Sequence, residues 1–215
     1  MKIIVYCINL GNYDKFNSVN MIETGVHYRY YTDSNINLGG YEMIKMKPHK
    51  YDGVIKKSSR YLKCNSQSVC LDADYSIYLD ASFRIIGGSF EKLINSLGEF
   101  DIAQFKHPVH NCLYKEADSL LINSGQKSEH ESIKRQIEKY KADQFPENFG
   151  LFSGGFIIRK HSDKVFEFNK LWWSEIKDGT YRDQVSEMYC IWKSELKFVT
   201  IPGNIYDNEI IKYAN

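Results

Sequence analysis

Three short apolar runs each stop on a polar side chain, and this repetition constrains the fold more than any other feature of the sequence. Lys2 to Asn9 builds into Ile3-Ile4-Val5-Tyr6-Cys7-Ile8 and stops at Asn9-Leu10-Gly11-Asn12. His27 to Thr32 is aromatic and β-favouring and stops at Asp33-Ser34-Asn35, and Tyr75 to Leu79 stops at Asp80. Runs this short and this apolar suit strands buried on both faces of a parallel sheet. Tyr41 to Met46, Asp101 to Phe105, Gly154 to Arg159 and Phe198 to Ile201 supply further strands. Helices are expected from about Tyr13 to Met21, Ile55 to Cys64, Ser89 to Leu97, Ser162 to Ile176 and Tyr181 to Trp192. Alternation of the two predicts an α/β fold, a mostly parallel twisted sheet with helices on both faces. With 215 residues and no repeat, linker or low-complexity tract, residues 1–215 are expected to form one domain.

The polar stretch from about Leu120 to Asp143 is the exception to this compact pattern. Its Ile133, Ile137 and Tyr140 spacing predicts a solvated helix packed by one narrow edge, a lid or excursion.

Charge and composition exclude several functions. Lys and Arg number 28 against 27 Asp and Glu, so no global field holds a polyanion and nucleic-acid coating is not expected. Phosphate recognition must then be local. The apolar run Ile3 to Cys7 falls far short of the roughly 20 residues that a membrane-spanning helix needs. No secretory signal is expected ahead of it, and five scattered cysteines (Cys7, Cys64, Cys70, Cys112, Cys190) read as reduced thiols. The expected location is the cytoplasm, free or peripheral at the inner membrane face.

Ligands of open α/β sheets bind beyond the carboxyl ends of the strands. Asn9, Asp33 and Asp80 stand there, with Gly154 and Gly155 near another strand. Asp80 leaves the end of an apolar strand and, with the Ser82 hydroxyl, offers the oxygen ligands that a hard divalent cation takes. The literal Asp72-Ala73-Asp74 precedes its strand, at the wrong end of the sheet, and reads as a turn. Lys56, Arg60 and Lys63 fall on one helical face with Lys57 beside them, and no Asp or Glu interrupts Val54 to Ser68. Such a face can grip phosphates.

His107 and His110, followed by Cys112, Tyr114 and Glu116, suggest an acceptor-hydroxyl site or a zinc pair without a third ligand. Arg182-Asp183-Gln184 opens the last predicted helix, where Asp183 is a cap or else a general base or sugar ligand, with Gln184 as its hydrogen-bonding partner.

Taken in order, the opening Lys-Ile-Ile-Val-Tyr, Tyr31-Thr32-Asp33, Lys56-x-x-x-Arg60-x-x-Lys63, Ser76 to Asp80, His107 to Glu116, Gly154-Gly155 with Ile157-Ile158-Arg159, and Trp172-Trp173 before Arg182-Asp183-Gln184 resemble a glycosyltransferase-like family. That family, long catalogued as a domain of unknown function, includes hexosyltransferases of polysaccharide synthesis in plants and bacteria, and the likeness runs from about Lys2 to Trp192. The resemblance implies a GT-A fold, a nucleotide-diphosphosugar donor such as a UDP-sugar, a glycan acceptor and a divalent cation, Mn2+ or Mg2+. It places Asp33 near the nucleoside, Arg60 and Lys63 near the diphosphate, Asp80 on the metal, and Asp183 at the sugar or acceptor, with Asp183 or Glu116 as base of an inverting reaction. The usual Asp-x-Asp is here Asp80-Ala81-Ser82, and Asp207 and Asn208 stand where a C-terminal metal-binding histidine is usual. A sugar nucleotidyltransferase and a non-catalytic nucleotide-sugar or carbohydrate-binding protein are the alternatives.

Overall fold

A computed structural model describes residues 1–19, 21–47 and 55–214. Its strands are β1 (Ile3–Asn9), β2 (Val26–Thr32), β3 (Glu42–Lys45), β4 (Tyr75–Asp80), β5 (Phe83–Ile85), β6 (Ile102–Lys106), β7 (Phe152–Lys160), β8 (Phe198–Thr200) and β9 (Ile211–Tyr213). Seven form one sheet in the order β3-β2-β1-β4-β7-β6-β8, while β5 and β9 pair separately. Strands β1 to β4 are mutually parallel, as are β6 and β8. Strand β7 runs against both of its neighbours. The sheet is therefore mostly parallel, as the alternating runs predict.

Side-chain alternation along β1 divides the interior in two. Ile4, Tyr6 and Ile8 face α1 (Ile55–Cys64), α2 (Ser66–Val69) and α6 (Asp163–Asp178), through Leu62, Val69, Phe168 and Trp172. Ile3 and Val5 face the opposite way, toward Phe90 and Ile94 of α3 (Phe90–Ser96) and toward Phe83. Both faces are thus covered, which is why β1 and the inner part of β4 carry almost no polar side chain. The parallel register sets Asn9 beside Thr32 and Ile8 beside Asp80, so the ends of β1, β2 and β4 share one edge of the sheet.

Three sequence expectations need correction. Among the described residues between Tyr13 and Met21 there is no helix. Polar side chains capture the backbone there: Asn9 exchanges hydrogen bonds with the N–H and carbonyl of Asp14, and the Asn17 amide donates to the Ala81 carbonyl. The last predicted helix is also broken. A 3-10 turn, Asp183–Val185, precedes α7 (Glu187–Lys193), because the Tyr181 N–H is taken by Glu129 and the Arg182 N–H by the Thr180 hydroxyl. Finally, the polar stretch forms the expected helix packed by one edge, but it is no excursion. It contains the end of α4 (Leu113–Ile122), a 3-10 segment and α5 (His130–Ala142), whose Ile133, Gln136 and Tyr140 are buried. The expected third strand, second strand and Ile55 to Cys64 helix form as the sequence predicts.

Arg159, on β7 and fully buried, ties the sheet to α1. Its guanidinium donates to the carbonyls of Lys63 (2.6 Å) and Cys64 (3.1 Å), to the Tyr6 hydroxyl (2.5 Å) and to Asn169 Oδ1 (2.8 Å). The last carbonyls of a helix lack partners inside it, and a cation at that end also opposes the helix dipole favourably. Arg159→Met would remove four buried hydrogen bonds, leaving the Lys63 carbonyl with the Tyr6 hydroxyl as its donor. The expected loss is about 3 kcal/mol, measured by urea unfolding.

Candidate functional site

Two lobes of one cavity open beyond the carboxyl ends of β1 and β4. The first, of about 300 Å³, is bounded by Asn9, Tyr13, Asp14, Lys56 and Tyr181. The second, of about 310 Å³, is bounded by Lys63, His107, Gly154, Gly155, Asp183 and Gln184. Arg60, Asp80, Ser82 and Arg182 line both, as do Tyr13 and Tyr213, so two guanidiniums and a carboxylate border the junction of the lobes.

Gly154 and Gly155 let β7 form the floor. A Cβ on Gly155 would lie 3.3 Å from Asp80 Oδ2 and 2.9 Å from the Phe83 ring; one on Gly154 would lie 3.0 Å from Lys63 Nζ and 3.5 Å from Asp183 Oδ2. The two glycines therefore mark adjacent points, one under Asp80 and one under the Lys63–Asp183 pair. Asp80 accepts a hydrogen bond from the Tyr78 hydroxyl through Oδ1.

Of the basic face of α1, the residues diverge. Lys63 is buried and ion-paired with Asp183, and Arg60 Nε lies 3.5 Å from the same Asp183 oxygen. Burial would raise the Asp183 carboxyl, but the charges of Arg60 and Lys63 overcome it and hold the carboxyl far below the usual range. A carboxylate so held is a weak proton acceptor. Arg60 is affected in the complementary sense: burial pulls its pKa down, while Asp183 and Asp80 more than restore it. Lys56 Nζ lies between two rings, 5.0 Å from the Tyr13 centroid and 5.1 Å from that of Tyr181. Lys57 turns away and donates to the Lys177 carbonyl.

Other expected residues support the rim. Both Asp33 oxygens accept from the Gly11 N–H, at 3.0 and 3.2 Å, and Asn9 fixes Asp14. Gln184 donates to the Phe152 carbonyl. His107 and His110 stack in parallel, with centroids 5.6 Å apart, and their Nε2 atoms lie 3.9 and 3.7 Å from Glu116 Oε2. His107 Nδ1 accepts from the His110 N–H, which assigns the ring proton of neutral His107 to Nε2, on the Glu116 side. Burial lowers the His107 pKa against the pull of Glu116. Glu116 itself sits behind the histidines. Among the described residues no three His, Cys, Asp or Glu side chains gather as a metal cluster, so the zinc alternative has no third ligand. Asp72, in a left-handed turn, and Asp74, which accepts from the Lys2 N–H, lie at the opposite end of β4. Asn208 staples a turn through Ile210 and Ile211 N–H groups.

Several site residues carry no local sequence signal. Asp14 stands in what reads as a helix, yet it lines the first lobe, its pKa raised by burial and then by the charge of Asp80. Tyr13 and Tyr181 are two tyrosines among 16. The α5 helix matters through a buttress: Gln136 Oε1 accepts from the Thr180 N–H, and Glu129 Oε2 accepts from the Thr180 hydroxyl and the Tyr181 N–H. These contacts fix the loop that carries Arg182 and Asp183. Gly179 has no room for a Cβ, which would overlap the Gln136 amide. Gly179→Ala should cost about 2 kcal/mol in chemical denaturation and reduce ligand affinity at the Arg182 side, measured by titration calorimetry.

Behind Lys63 lies a second carboxyl. Glu187 is 1% exposed and accepts from Gln104 Nε2 at 2.5 Å. Burial pushes its pKa up to about 7, with Asp183 adding to the rise and Lys63 opposing it. A raised carboxyl favours the fold below its unfolded pKa and withdraws that support as pH climbs through the folded value. Wild type should therefore lose melting temperature relative to Glu187→Gln between about pH 4.5 and 7, with the difference constant above that window.

No helix among the described residues is long and apolar enough to cross a membrane. No curated protein matches the chain. A family model, described as TOD1/MUCI70, glycosyltransferase-like domain, matches residues 16–212, which include every cavity residue except those from β1 to Asp14 and Tyr213. With a sheet-edge cavity lined by Asp80, Arg60 and Arg182, and a family match over nearly its whole length, the chain belongs to the TOD1/MUCI70 glycosyltransferase-like domain family.

Proposed function

We propose that the chain is a GT-A type glycosyltransferase that moves a sugar from a nucleotide-diphosphosugar, most simply a UDP-sugar, to a saccharide hydroxyl in glycan or polysaccharide synthesis. The observation that carries this reading is the two-lobed cavity with its charged centre. A nucleoside fits the first lobe, between the end of β1 and the Tyr13–Lys56–Tyr181 cluster. The diphosphate then meets Arg60 and Arg182 at the centre, and the sugar lies beside Asp80 in the second lobe, which Gly154 and Gly155 border. The acceptor enters through the second lobe, past His107.

The chain's residues fit a shared divalent ion, not an all-protein cage. Asp80 and Asp14 line the same lobe as Ser82, giving hard oxygen donors of the kind that hold Mg2+ or Mn2+ through one or two carboxylates while phosphates and water complete the shell. Bound there, such an ion would neutralise charge on the departing diphosphate.

Arg60 and Arg182 act on the same charge, oriented in advance and therefore without reorganisation as it develops. Asp183 serves by position: held ionised by Lys63 and Arg60, it fixes the guanidinium that meets the phosphates and takes no proton. Glu116, behind His107 and His110, acts through those rings on the acceptor side.

Thermal shift against UDP, GDP, CDP and ADP, with and without Mn2+, tests the reading. UDP with Mn2+ at saturating concentration should raise the melting temperature by about 5 °C. Asp80→Asn should abolish the Mn2+-dependent part of that shift and lower sugar transfer about 100-fold. Absence of a shift with every diphosphate would overturn the proposal, and pyrophosphate release from a nucleoside triphosphate would replace it with a nucleotidyltransferase.

A further inference from the structure

At the outer end of the second lobe the chain exposes aromatic surface that the fold does not need. Tyr206 is 56% and Tyr213 42% exposed, and both rings line the lobe that also holds Asp80 and Gly155. They rest on Phe83, which is 5% exposed: its ring centroid lies 5.9 Å from Tyr206 and 5.4 Å from Tyr213, and the two tyrosines are 5.9 Å apart. Two exposed rings on a buried third form a platform.

The platform is built in place. Strand β9 pairs with β5 so that Tyr213 stands opposite Phe83, and the Ala214 N–H donates to the Ser82 carbonyl at 2.8 Å. The loop that carries Tyr206 is stapled by two asparagines. Asn204 Oδ1 accepts from the Tyr206 N–H; Asn208 accepts from the N–H groups of Ile210 and Ile211 and donates to the carbonyls of Asn204 and Ile205. Rings held this firmly lose little conformational freedom when a ligand covers them.

Its position is tied to the reaction centre through Gly155. The absent Cβ of that residue would touch Phe83 at 2.9 Å, Ile205 at 3.0 Å and Asp80 Oδ2 at 3.3 Å. A ring lying on the tyrosines is therefore adjacent to the carboxylate at the cavity centre. The groups across the same lobe, His107, Ser153 and Gln184, are hydrogen-bonding side chains suited to hydroxyls, and the charges of Lys63 and Asp183, which also line it, neutralise each other in an ion pair. An apolar face bounded by neutral polar groups matches a pyranose ring, with C–H bonds on its faces and hydroxyls on its rim.

We propose that Tyr206 and Tyr213 form the acceptor subsite and that it takes a neutral pyranose residue, stacked on the platform with its attacking hydroxyl directed toward Asp80 and Gly155. This inference rests on the transferase reading and specifies its acceptor. It leaves the nucleoside to the first lobe.

Saturation-transfer NMR on the full chain, with methyl β-D-glucopyranoside, methyl β-D-galactopyranoside and methyl β-D-xylopyranoside as probes, tests it with and without UDP and Mn2+. At least one glycoside should receive saturation on its ring C–H protons, and Tyr206→Ala and Tyr213→Ala should each weaken its binding about five-fold, while UDP affinity, measured by calorimetry, stays unchanged in Tyr206→Ala, whose ring lines the second lobe alone. Tyr206→Phe should retain glycoside binding, because the ring and not the hydroxyl supplies the surface. Glycoside saturation that survives both alanine variants, or no saturation of any of the three, overturns the proposal. So does a fall in UDP affinity on Tyr206→Ala, which would give the platform to the nucleobase. If UDP fails to bind wild type while a glycoside binds in a Tyr206-dependent way, the platform stands and the transferase reading falls.

Discussion

The buried charges at the end of α1 hold the site together. Lys63 enters the interior as a cation and meets Asp183, while its carbonyl and that of Cys64 are held by Arg159 from β7. Removing either charge of a buried pair leaves the other unpaired in a medium that solvates it poorly, at a cost of several kcal/mol. The sheet, the basic helix and the loop of Asp183 are thereby fixed to one another. The distance between Arg60 and the floor glycines follows from that connection and not from local propensity.

The same constraint separates the charged residues into different tasks. Lys63 and Asp183 neutralise each other in the wall of the second lobe, and Asp183 reaches far enough to orient Arg60. Arg60 and Arg182 remain where the lobes meet, as does Asp80. A residue cluster that looks in the sequence like one phosphate-binding face is therefore two layers, one structural and one open to ligand. The outer helices contribute to the second layer indirectly, since Gln136 and Glu129 hold the Thr180–Tyr181 backbone from behind.

The aromatic residues divide in a similar way. Phe83, Phe90 and Phe156 fill the core under β5, whereas Tyr206 and Tyr213 continue that cluster outward onto the surface. Lys56 with Tyr13 and Tyr181 forms the corresponding edge of the first lobe. Each lobe thus has aromatic surface at its outer part and charge where the two meet, an arrangement suited to an elongated ligand with a charged middle.

The sequence by itself determined the parallel half of the sheet, because strands covered on both faces must be apolar throughout and must release their polar residues at the ends: Asn9, Asp33 and Asp80 are legible for that reason. It also determined α1 and the sharing of one edge by those strand ends. The pairing of Lys63 with Asp183, 120 residues apart, was decided only by the tertiary structure, as was the burial of Gln136 against Gly179 and Thr180. So were the places of Asp14, Tyr206 and Tyr213, whose neighbours in sequence say nothing of the cavity. Periodicity reports which face of an element is dry, since burial repeats with the backbone; it carries no record of which distant side chain will meet a buried charge, because that is settled by packing of elements and by the need to leave no charge unpaired.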